Sequence, residues 1–527
     1  MRPRLLPGLP LVAAFVLAAT SGLPQMRTPV ELAWSVLGTA VLLAGWSLWL
    51  YDHVLRQGRT LRLVVNLRAQ HYVQAGAQTT VLVYWGFYWP VVPESLLLVT
   101  AQLVFAYAFD MLLGWSRRDT YALGFGPIPV VLSTSLFLWF KAEWFYLQFL
   151  LIAVGFLAKE LIQWKKAGRR VHVFNPSALP LALFSVVLIA TGTTDMTWGA
   201  EIAATLNNAP WIYVVIVLAA FPGQALFGGT PMTLSAAVTM YLFGLLYFAS
   251  TGTYFFVDSY IPIAVFLGMH LLFTDPSTSP QSERGRLVFG ALYALSVVGL
   301  YAVLARLGVP TFYDKLLAVP LLNLMVTVID RVLRKTISEW ISWASTSDTV
   351  RPDAVTANAA TEAVRSDPLT AGAPMSAPRR LAYVGVWAVV FVAMTVAHAV
   401  GDIHRGQWVT FWLAACHEGR TGGCFQAARL LSVYCANRSG WACNEYGILL
   451  QPDRRPALAV REFQRACDLG FSAGCVNLDQ SRVSRPLRAR PGPDDLRVVL
   501  RRKQGVRDLG PLELRQLACR QGFLNSC

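Results

Sequence analysis

The sequence predicts an all-α protein in which a polytopic bundle of transmembrane helices is joined to a small helical repeat domain braced by disulfides. Apolar runs of about 17–22 residues, each long enough to cross a ~30 Å hydrocarbon core as a helix, fill residues 9–330, and one more lies at 381–400. All eight cysteines come after these runs, in the last quarter of the 527-residue chain. We therefore expect about 10–13 spans, followed by a domain of different character.

The overall composition is typical of a membrane protein. The chain is 55% hydrophobic and only 14% charged, and its mean hydropathy is +0.46, outside the range of soluble globular proteins. The formal charge of +15 is concentrated in loops after alternate spans, which is the positive-inside bias. The basic loops thus indicate topology, and we expect no nucleic-acid partner. They lie at 56–68, 117–118, 165–170, 284–286 and 331–335.

The first element, in residues 1–59, is a predicted membrane hairpin. Its start, MRPRLLPGLPLVAAFVLAATSG, is either a cleavable signal peptide or a retained first span. A second span, Val30–Tyr51, comes directly after it and favours retention. The next candidate spans, counted with a cytoplasmic N-terminus, place every basic loop in the cytoplasm. They are 78–91, 95–114, 121–139, 144–162, 174–192, 209–222, 232–249, 257–273, 287–306 and 314–329.

A change of composition separates the predicted membrane domain, residues 60–335, from the C-terminal third of the chain. Residues 336–380 are rich in Ala, Ser, Thr and Pro and are typical of a flexible cytoplasmic linker. Residues 381–400 then form a last span that leads outward, since Arg379 and Arg380 precede it. The order predicts a multi-pass protein of the bacterial inner membrane whose residues 401–527 are periplasmic.

The cysteines form four pairs with seven residues between the partners. The pairs are Cys416–Cys424, Cys435–Cys443, Cys467–Cys475 and Cys519–Cys527. Structural zinc prefers a spacing of two to four residues, c-type haem needs C-x-x-C-H and thiol exchange prefers C-x-x-C. We therefore expect structural disulfides and no metal, in agreement with a periplasmic location. Apolar residues at helical spacing precede Cys467, and Gly470 comes after it as a C-cap, so each pair should brace a helix–turn–helix corner.

This cysteine pattern resembles the Sel-like, tetratricopeptide-related repeats of cysteine-rich bacterial secreted proteins. The resemblance covers about residues 406–478, with a degenerate copy at 510–527. It implies an α-helical solenoid that binds another protein and does not catalyse a reaction. The basic, Pro-rich stretch from Arg482 to Arg507 interrupts the repeat and is either a solvated strap or a docking surface.

The membrane domain contains polar, Pro-containing segments at the predicted cytoplasmic ends of its spans. In VFNPSALP, Asn175 should cap a helix whose first residue is Pro176. In LLNLMVTVIDR, Asn323 and Asp330 lie seven apart on one helical face. Either these groups are helix caps and topology anchors, or their helix N-termini bind the phosphate of a nucleotide-like cofactor. The third segment, LLFTDPSTSPQSERGRLVFGAL, contributes Asp275, Thr278, Arg284 and Arg286.

These three segments, in this order and spacing, resemble one family of membrane subunits. It comprises the B subunit of the sodium-translocating NADH:quinone reductase and the D subunit of the Rnf electron-transport complex, and the likeness spans about residues 60–335. The resemblance implies a flavin-bearing subunit that passes electrons within a larger redox assembly. The cofactors it implies are FMN, attached through phosphate to a Thr in an extracytoplasmic loop, and riboflavin or quinone in some members.

The chain departs from the attachment signal of that family. The signal reads approximately Asp-Gly-x-Ser-Gly-Ala-Thr, and the corresponding loop, Thr191–Pro210, lacks it. The nearest look-alike, FGGTPMT with Thr230, has Gln224 in place of the Asp and falls on the cytoplasmic side of the predicted topology. Either a flavin is held without a covalent bond, or the chain has kept the scaffold and lost the cofactor.

Two functions from different classes are compatible with these observations. The first is a subunit of an electron-transport complex that carries or positions a flavin or quinone, contacts the other redox subunits and recruits a periplasmic partner. The second is a cofactor-free membrane scaffold for periplasmic assembly. No acid–base, nucleophile or nucleotide-binding motif indicates a catalytic residue, and a lone His270 or His398 inside an apolar run is weak evidence for haem. A secondary transporter is disfavoured because the predicted spans carry ionisable groups only near their ends.

Overall fold

The computed structural model describes residues 6–345, 375–397 and 409–481, apart from short gaps at 7, 28, 167–168, 207–208, 252–254, 257–259, 418–422, 437 and 452–455. Helices dominate these residues, and the predicted all-α class with a transmembrane bundle is confirmed. The chain forms two compact units, one of Met1–Met240 with Ile263–Ala393 and one of Tyr241–Pro262 with Met394–Cys527.

The helices follow the predicted order of spans and then of the cysteine-rich tail. They are α1 (Gly8–Thr20), α2 (Val30–Arg56), α3 (Ala69–Gly86), α4 (Val91–Glu94), α5 (Leu96–Arg117), α6 (Pro127–Phe137), α7 (Tyr146–Leu161), α8 (Ala178–Thr191), α9 (Gly199–Thr205), α10 (Ile212–Phe227), α11 (Thr230–Thr251), α12 (Ile263–Leu271), α13 (Glu283–Leu307), α14 (Asp314–Ser345), α15 (Ala377–Val396), α16 (Val409–His417), α17 (Gly423–Ala436), α18 (Gly440–Leu450), α19 (Pro456–Asp468) and α20 (Ser472–Ser481).

Within the described residues, six helical segments are long and apolar enough to cross a membrane, and the protein is a multi-pass membrane protein. They are Val30–Arg56, Leu96–Arg117, Thr230–Thr251, Glu283–Leu307, Thr311–Leu333 and Ala377–Val396. Other predicted spans are shorter helices: within residues 121–139 the helix is α6, which begins at Pro127, and among the described residues of 257–273 the helix is α12, which comes after Pro262. Irregular backbone of this kind is tolerated at membrane depth where protein surrounds it.

Two small sheets that the sequence did not predict lie in or beside the basic loops, and one of their strands, at residues 120–123, overlaps the start of the predicted span 121–139. β1 (Arg62–Val65) pairs in parallel with β2 (Thr120–Leu123), and β3 (Gln163–Lys166) forms an antiparallel hairpin with β4 (Arg169–His172). The predicted linker also begins later than expected, because α14 continues to Ser345. Residues 346–374, which make up most of that linker, lie outside the described part of the chain.

The first unit buries several of its largest aromatic side chains and exposes other apolar side chains, both aromatic and aliphatic, on its outer faces. The indoles of Trp85 and Trp115 are completely buried, whereas Phe15 and Leu42 on the outer faces of α1 and α2 are each 75% exposed. Such an exterior would be costly in water but suits hydrocarbon, where the burial of apolar side chains no longer drives packing.

The second unit contains helical hairpins whose corners are closed by disulfides. The bridges Cys416–Cys424, Cys435–Cys443 and Cys467–Cys475 have Cα separations of 4.3, 4.5 and 4.6 Å, so three of the four predicted pairs are confirmed. In each bridge the first Cys lies in the last turn of one helix and the second in the first turn of the next. The fourth predicted pair, Cys519–Cys527, lies outside the described residues.

Two of these corners share one backbone geometry. Gly470 ends α19 with a φ of +78°, as a C-cap glycine should. Arg438 occupies the equivalent place, three residues after Cys435, with a φ of +62°. Each of the two residues donates its N–H to the carbonyl of the preceding Cys, at 3.0 Å for Arg438 and 2.9 Å for Gly470. An exposed arginine therefore holds a left-handed conformation that glycine adopts at lower cost.

Candidate functional site

The side-chain oxygen of Asn175 caps the start of α8, as the sequence predicts, but α8 begins at Ala178 with Ser177 at the N-cap position, two residues later than the predicted start at Pro176. Its side-chain oxygen accepts hydrogen bonds from the N–H groups of Ser177 at 2.9 Å and Ala178 at 3.1 Å. Pro176 precedes these two residues, and its missing N–H leaves no further donor to satisfy at this position. The amide nitrogen of Asn175 donates to the carbonyl of Leu272 at 2.9 Å, so the cap is also joined to the end of α12.

Asn323 links all three polar segments. Its Oδ1 accepts from the backbone N–H of Asn175 at 3.1 Å, and its Nδ2 donates to the carbonyl of Thr278 at 3.1 Å. Asn323 and Thr278 are at most 1% exposed, and Asn175 is 5% exposed. Buried amides are retained where both their donor and their acceptor groups find partners, and here the partners lie far apart in the sequence.

Asp275 begins the loop between α12 and α13 and collects hydrogen bonds from three elements. Its carboxylate accepts from Gln70 of α3 at 3.2 Å and from the N–H of Ser277 at 3.0 Å, and it contacts Nε2 of His172 at 3.3 Å. Burial of the carboxyl group would by itself raise its pKa. The hydrogen bond and charge of His172, together with the bonds from Ser277, outweigh burial and hold the pKa of Asp275 below its usual value.

The other end of the same loop is held by Arg286 and Asp330. The guanidinium of Arg286 donates to the carbonyl of Pro280 at 3.1 Å and to that of Gly228 at 2.8 Å. Asp330 accepts from the N–H of Gln281 at 3.3 Å. Asn323 and Asp330 therefore contact one loop from one face of α14, as their spacing predicts.

The remaining predicted cofactor residues differ in accessibility. Arg284 is exposed, whereas the hydroxyl of Thr278 lies within the loop, 3.4 Å from the Asp275 carboxylate. Thr230, at the start of α11, is 1% exposed, and its hydroxyl has no hydrogen-bond partner in the described part of the chain. The structure thus brings Asn175, Asp275, Thr278 and Asn323 into one hydrogen-bonded group, which we call the loop cluster. Their cofactor role stays a prediction.

A cavity of about 40 Å³ adjoins the loop cluster. Residues of α3, α10 and α12 and of the segments after α10 and α12 line it, among them Gln70, Gly223, Gln224, His270 and Thr274. His270 is 2% exposed and Gln224 is 3% exposed. The Nε2 atom of each is buried and has no hydrogen-bond partner among the described residues.

This cavity does not fit a flavin. Pockets for ligands of that size measure about 300–1,000 Å³, several times the volume found here, whereas ~10–15 Å³ suffices for one water. The amides of the loop cluster also use their donors and acceptors on one another and on the backbone. No step through a flavin is therefore derived from the loop cluster or its cavity.

Sequence reasoning missed two parts of this region. His172 and Gln70 contact Asp275 from β4 and from the start of α3, and no local pattern marked either residue.

The second part is a buried ion pair at the start of α14. Asp314 and Lys315 lie 3.2 Å apart, and their side chains are 2% and 5% exposed. The predicted span 314–329 begins with these two residues, and the sequence alone gave no sign that they would be buried. Buried charges in a membrane domain are costly and are usually retained for function.

Among its described residues, the second unit contains one group with the composition of a metal site. Donor atoms of Cys435, Cys443 and Glu462 lie within 4.8 Å of one another. The two sulfurs are joined in a disulfide, which removes the thiolates that zinc would need. The group is therefore a bridged corner with a carboxylate beside it.

Comparison with known proteins does not identify the function of this chain. No family model, curated protein or solved structure matches this chain. The resemblance to the quinone-reductase and Rnf subunits thus depends on the three sequence segments that meet at the loop cluster, and the resemblance to Sel-like repeats depends on the bridged helical corners.

Proposed function

We propose that this protein is an integral membrane subunit of a bacterial electron-transport complex, of the kind formed by the B and D subunits of the quinone reductase and Rnf assemblies. In this proposal the first unit positions a flavin or quinone among other redox subunits. The second unit recruits a periplasmic partner. The chain itself contributes position and electrostatics, because in electron transfer the cofactor supplies the reacting group.

One observation carries the proposal. The segments around Asn175, Asp275 and Asn323 are the basis of the resemblance, and each supplies a hydrogen-bonding partner to the loop cluster. A resemblance based on short segments that are distant in sequence is better supported when those segments contact one another in the fold. The loop cluster supports membership of this class through its architecture, since it fixes the ends of α8, α12, α13 and α14 relative to one another.

The proposal places the cofactor outside the loop cluster and without a covalent bond. The adjoining cavity is too small for a flavin ring. Thr230, the nearest counterpart of the flavin-bearing Thr, is almost completely buried. A flavin or quinone would then be bound on a surface that another subunit completes.

The proposed location is the bacterial inner membrane, with a cytoplasmic N-terminus and with residues 401–527 in the periplasm. The alternation of basic loops along the sequence supports this orientation. The three disulfides add independent support, because such bridges persist in the periplasm and are rare in the cytosol.

A second candidate is the cofactor-free membrane scaffold. The observation that favours it is that the Asn175 and Asn323 side chains satisfy their hydrogen bonds within the protein, as purely structural groups would. In that case the second unit alone would carry the function, by gathering periplasmic proteins.

Two spectra separate the two candidates: visible absorption detects a flavin, and ultraviolet absorption of a solvent extract detects a quinone. The full chain should be purified in mild detergent from its own membranes together with its co-purifying subunits, and then alone. Flavin or quinone in the assembly, absent from a matched assembly lacking this chain, supports the redox role. In-gel fluorescence after denaturation tests covalent attachment, with Thr230→Val as the control variant. A well-folded, disulfide-bonded assembly without either cofactor would refute the redox role and leave the scaffold.

A further inference from the structure

The cavity beside the loop cluster brings together two buried polar groups of opposite hydrogen-bonding character. Nδ1 of His270 lies 2.8 Å from the carbonyl of Phe266, which can only accept, so the ring proton is on Nδ1 and Nε2 offers a lone pair. The Oε1 atom of Gln224 accepts from the hydroxyl of Thr233 at 3.0 Å, which leaves Nε2 as a donor. Both side chains line the cavity, and both Nε2 atoms lack partners among the described residues.

One acceptor and one donor in a space of about 40 Å³ match the chemistry and the size of water. A buried donor or acceptor without a partner is destabilising, and water in this space would satisfy both groups. The walls add further polar side chains, since Gln70, Gln74 and Thr274 also line it.

The Gln70 side chain links the cavity to the carboxylate of Asp275, which does not itself line the cavity. Gln70 lines the cavity and donates to Asp275 at 3.2 Å. Asp275 in turn contacts His172 at 3.3 Å, and the two side chains are 10% and 18% exposed. A continuous series of polar groups thus leads from the surface of the unit to a fully buried imidazole.

We propose that this series is a proton inlet, in which water in the cavity connects Nε2 of His270 to Gln70 and, through the Gln70 hydrogen bond, to the Asp275–His172 pair. A proton from water beside the pair passes along hydrogen-bonded water past Gln70, whose amide orients that water and does not itself carry the proton, and binds to Nε2, while the Nδ1–H bond to Phe266 is kept. The ring returns the proton to water by the same route or gives it to a reaction that consumes protons. The proposal relies on the redox function above only for that reaction.

The surroundings of the two ends differ in charge. Near Asp275 lie His172 and His71, and the charges of Lys159 and Arg68 act on His71, whose pKa is lowered first by burial and then by these cations. At the inner end, His270 is the only titratable side chain among the described residues that line the cavity. Its ring packs between Phe266, at a centroid distance of 4.3 Å, and Trp387, at 5.8 Å, and aromatic faces can stabilise a transient imidazolium.

Deuterium uptake at the Cε1 carbon of histidine tests the inlet. This exchange requires both protonation of the ring and attack by deuteroxide, so it reports water and protons at the same ring. The purified full chain is incubated in deuterium oxide, and uptake is measured peptide by peptide for the histidines. We expect measurable uptake at His270, slowed about tenfold or more when Gly223→Leu fills the cavity.

Matched variants separate blockage from misfolding. A Cβ on Gly223 would meet only Val73, at an ordinary 3.5 Å, whereas Gly299 of α13 faces open space, so Gly299→Leu is the same change away from the cavity. Ala77→Leu fills the cavity from the opposite wall. Absence of uptake at His270 in the wild type, or equal rates in Gly223→Leu, Ala77→Leu and Gly299→Leu, would overturn the proposal. Neither result depends on a bound flavin, so the redox role is tested separately.

Discussion

The side-chain oxygen of Asn323 accepts a hydrogen bond from the backbone N–H of Asn175, 148 residues earlier in the chain, at 3.1 Å. The same amide donates to the carbonyl of Thr278 in a third segment. One side chain therefore fixes the start of α8 and the loop before α13 against α14. In a membrane bundle, where apolar burial contributes little between helices, such bonds determine how helix ends meet.

The first prediction concerns this amide. Asn323→Leu keeps a similar volume but leaves the N–H of Asn175 and the carbonyl of Thr278 buried and unpaired. Each of the two unpaired groups costs about 1–3 kcal/mol, so we expect the first unit to lose about 2–6 kcal/mol of stability. Thermal unfolding in detergent, followed by tryptophan fluorescence, measures this loss. The control is Leu324→Ala on the same helix, since Leu324 is 53% exposed; an equal effect of the two changes would contradict the argument.

The sequence predicted this part of the site because its signals are local. A cap residue before a proline, and two polar residues seven apart on one helix, require no knowledge of the fold. His172 and Gln70 carry no such signal, because their contact with Asp275 arises from the β3–β4 hairpin and from the packing of α3. The strands themselves were missed since each has only four residues; β1, β3 and β4 lie in or beside basic loops, and β2 overlaps the start of a predicted span.

The second prediction concerns the pH dependence of stability through Asp275. Its pKa in the folded protein lies below the usual value of about 3.9. The stabilisation that it contributes is therefore fully present above about pH 4 and is lost as the pH falls through the folded pKa. We expect wild type to be more stable than Asp275→Asn by about 1–3 kcal/mol at neutral pH, with the difference shrinking in acid.

Unfolding midpoints of both proteins between about pH 3 and pH 7 measure this difference. Asp52→Asn is the matched control, because Asp52 pairs with Arg56 on an exposed helix face, where ion pairs contribute little. A constant difference between wild type and Asp275→Asn across the whole range would show that the carboxylate charge has no such role.

The third prediction concerns the corner between α17 and α18. Arg438 has a φ of +62° and is exposed, so its side chain is not needed for packing. Left-handed backbone costs a residue with a Cβ about 1–2 kcal/mol, and glycine avoids most of this. Arg438→Gly should therefore stabilise the second unit by about 1 kcal/mol, and Gly470→Arg should destabilise it by a similar amount. Hydrogen exchange in the full chain detects both changes, through the amides of α17 and α18 for Arg438→Gly and those of α19 and α20 for Gly470→Arg; faster exchange in Arg438→Gly would be the opposite result.

The fourth prediction compares two disulfides that close loops of equal length. Cys435–Cys443 and Cys467–Cys475 each join residues eight apart, so the chain-entropy contribution is about 2–3 kcal/mol for both. Their surroundings differ, because Cys435 and Cys443 are at most 1% exposed, whereas Cys467 and Cys475 are half-buried. Replacing the first pair by alanines removes packed sulfur as well as the cross-link. We therefore expect the double variant Cys435→Ala with Cys443→Ala to unfold at a lower denaturant concentration than Cys467→Ala with Cys475→Ala.

Alkylation is the control for this comparison. Both pairs should resist it until reductant is added, since all the described cysteines are bridged. If the half-buried pair proved the more destabilising to remove, loop closure and local strain would outweigh burial at these corners, and the packing argument for the inner bridge would fail.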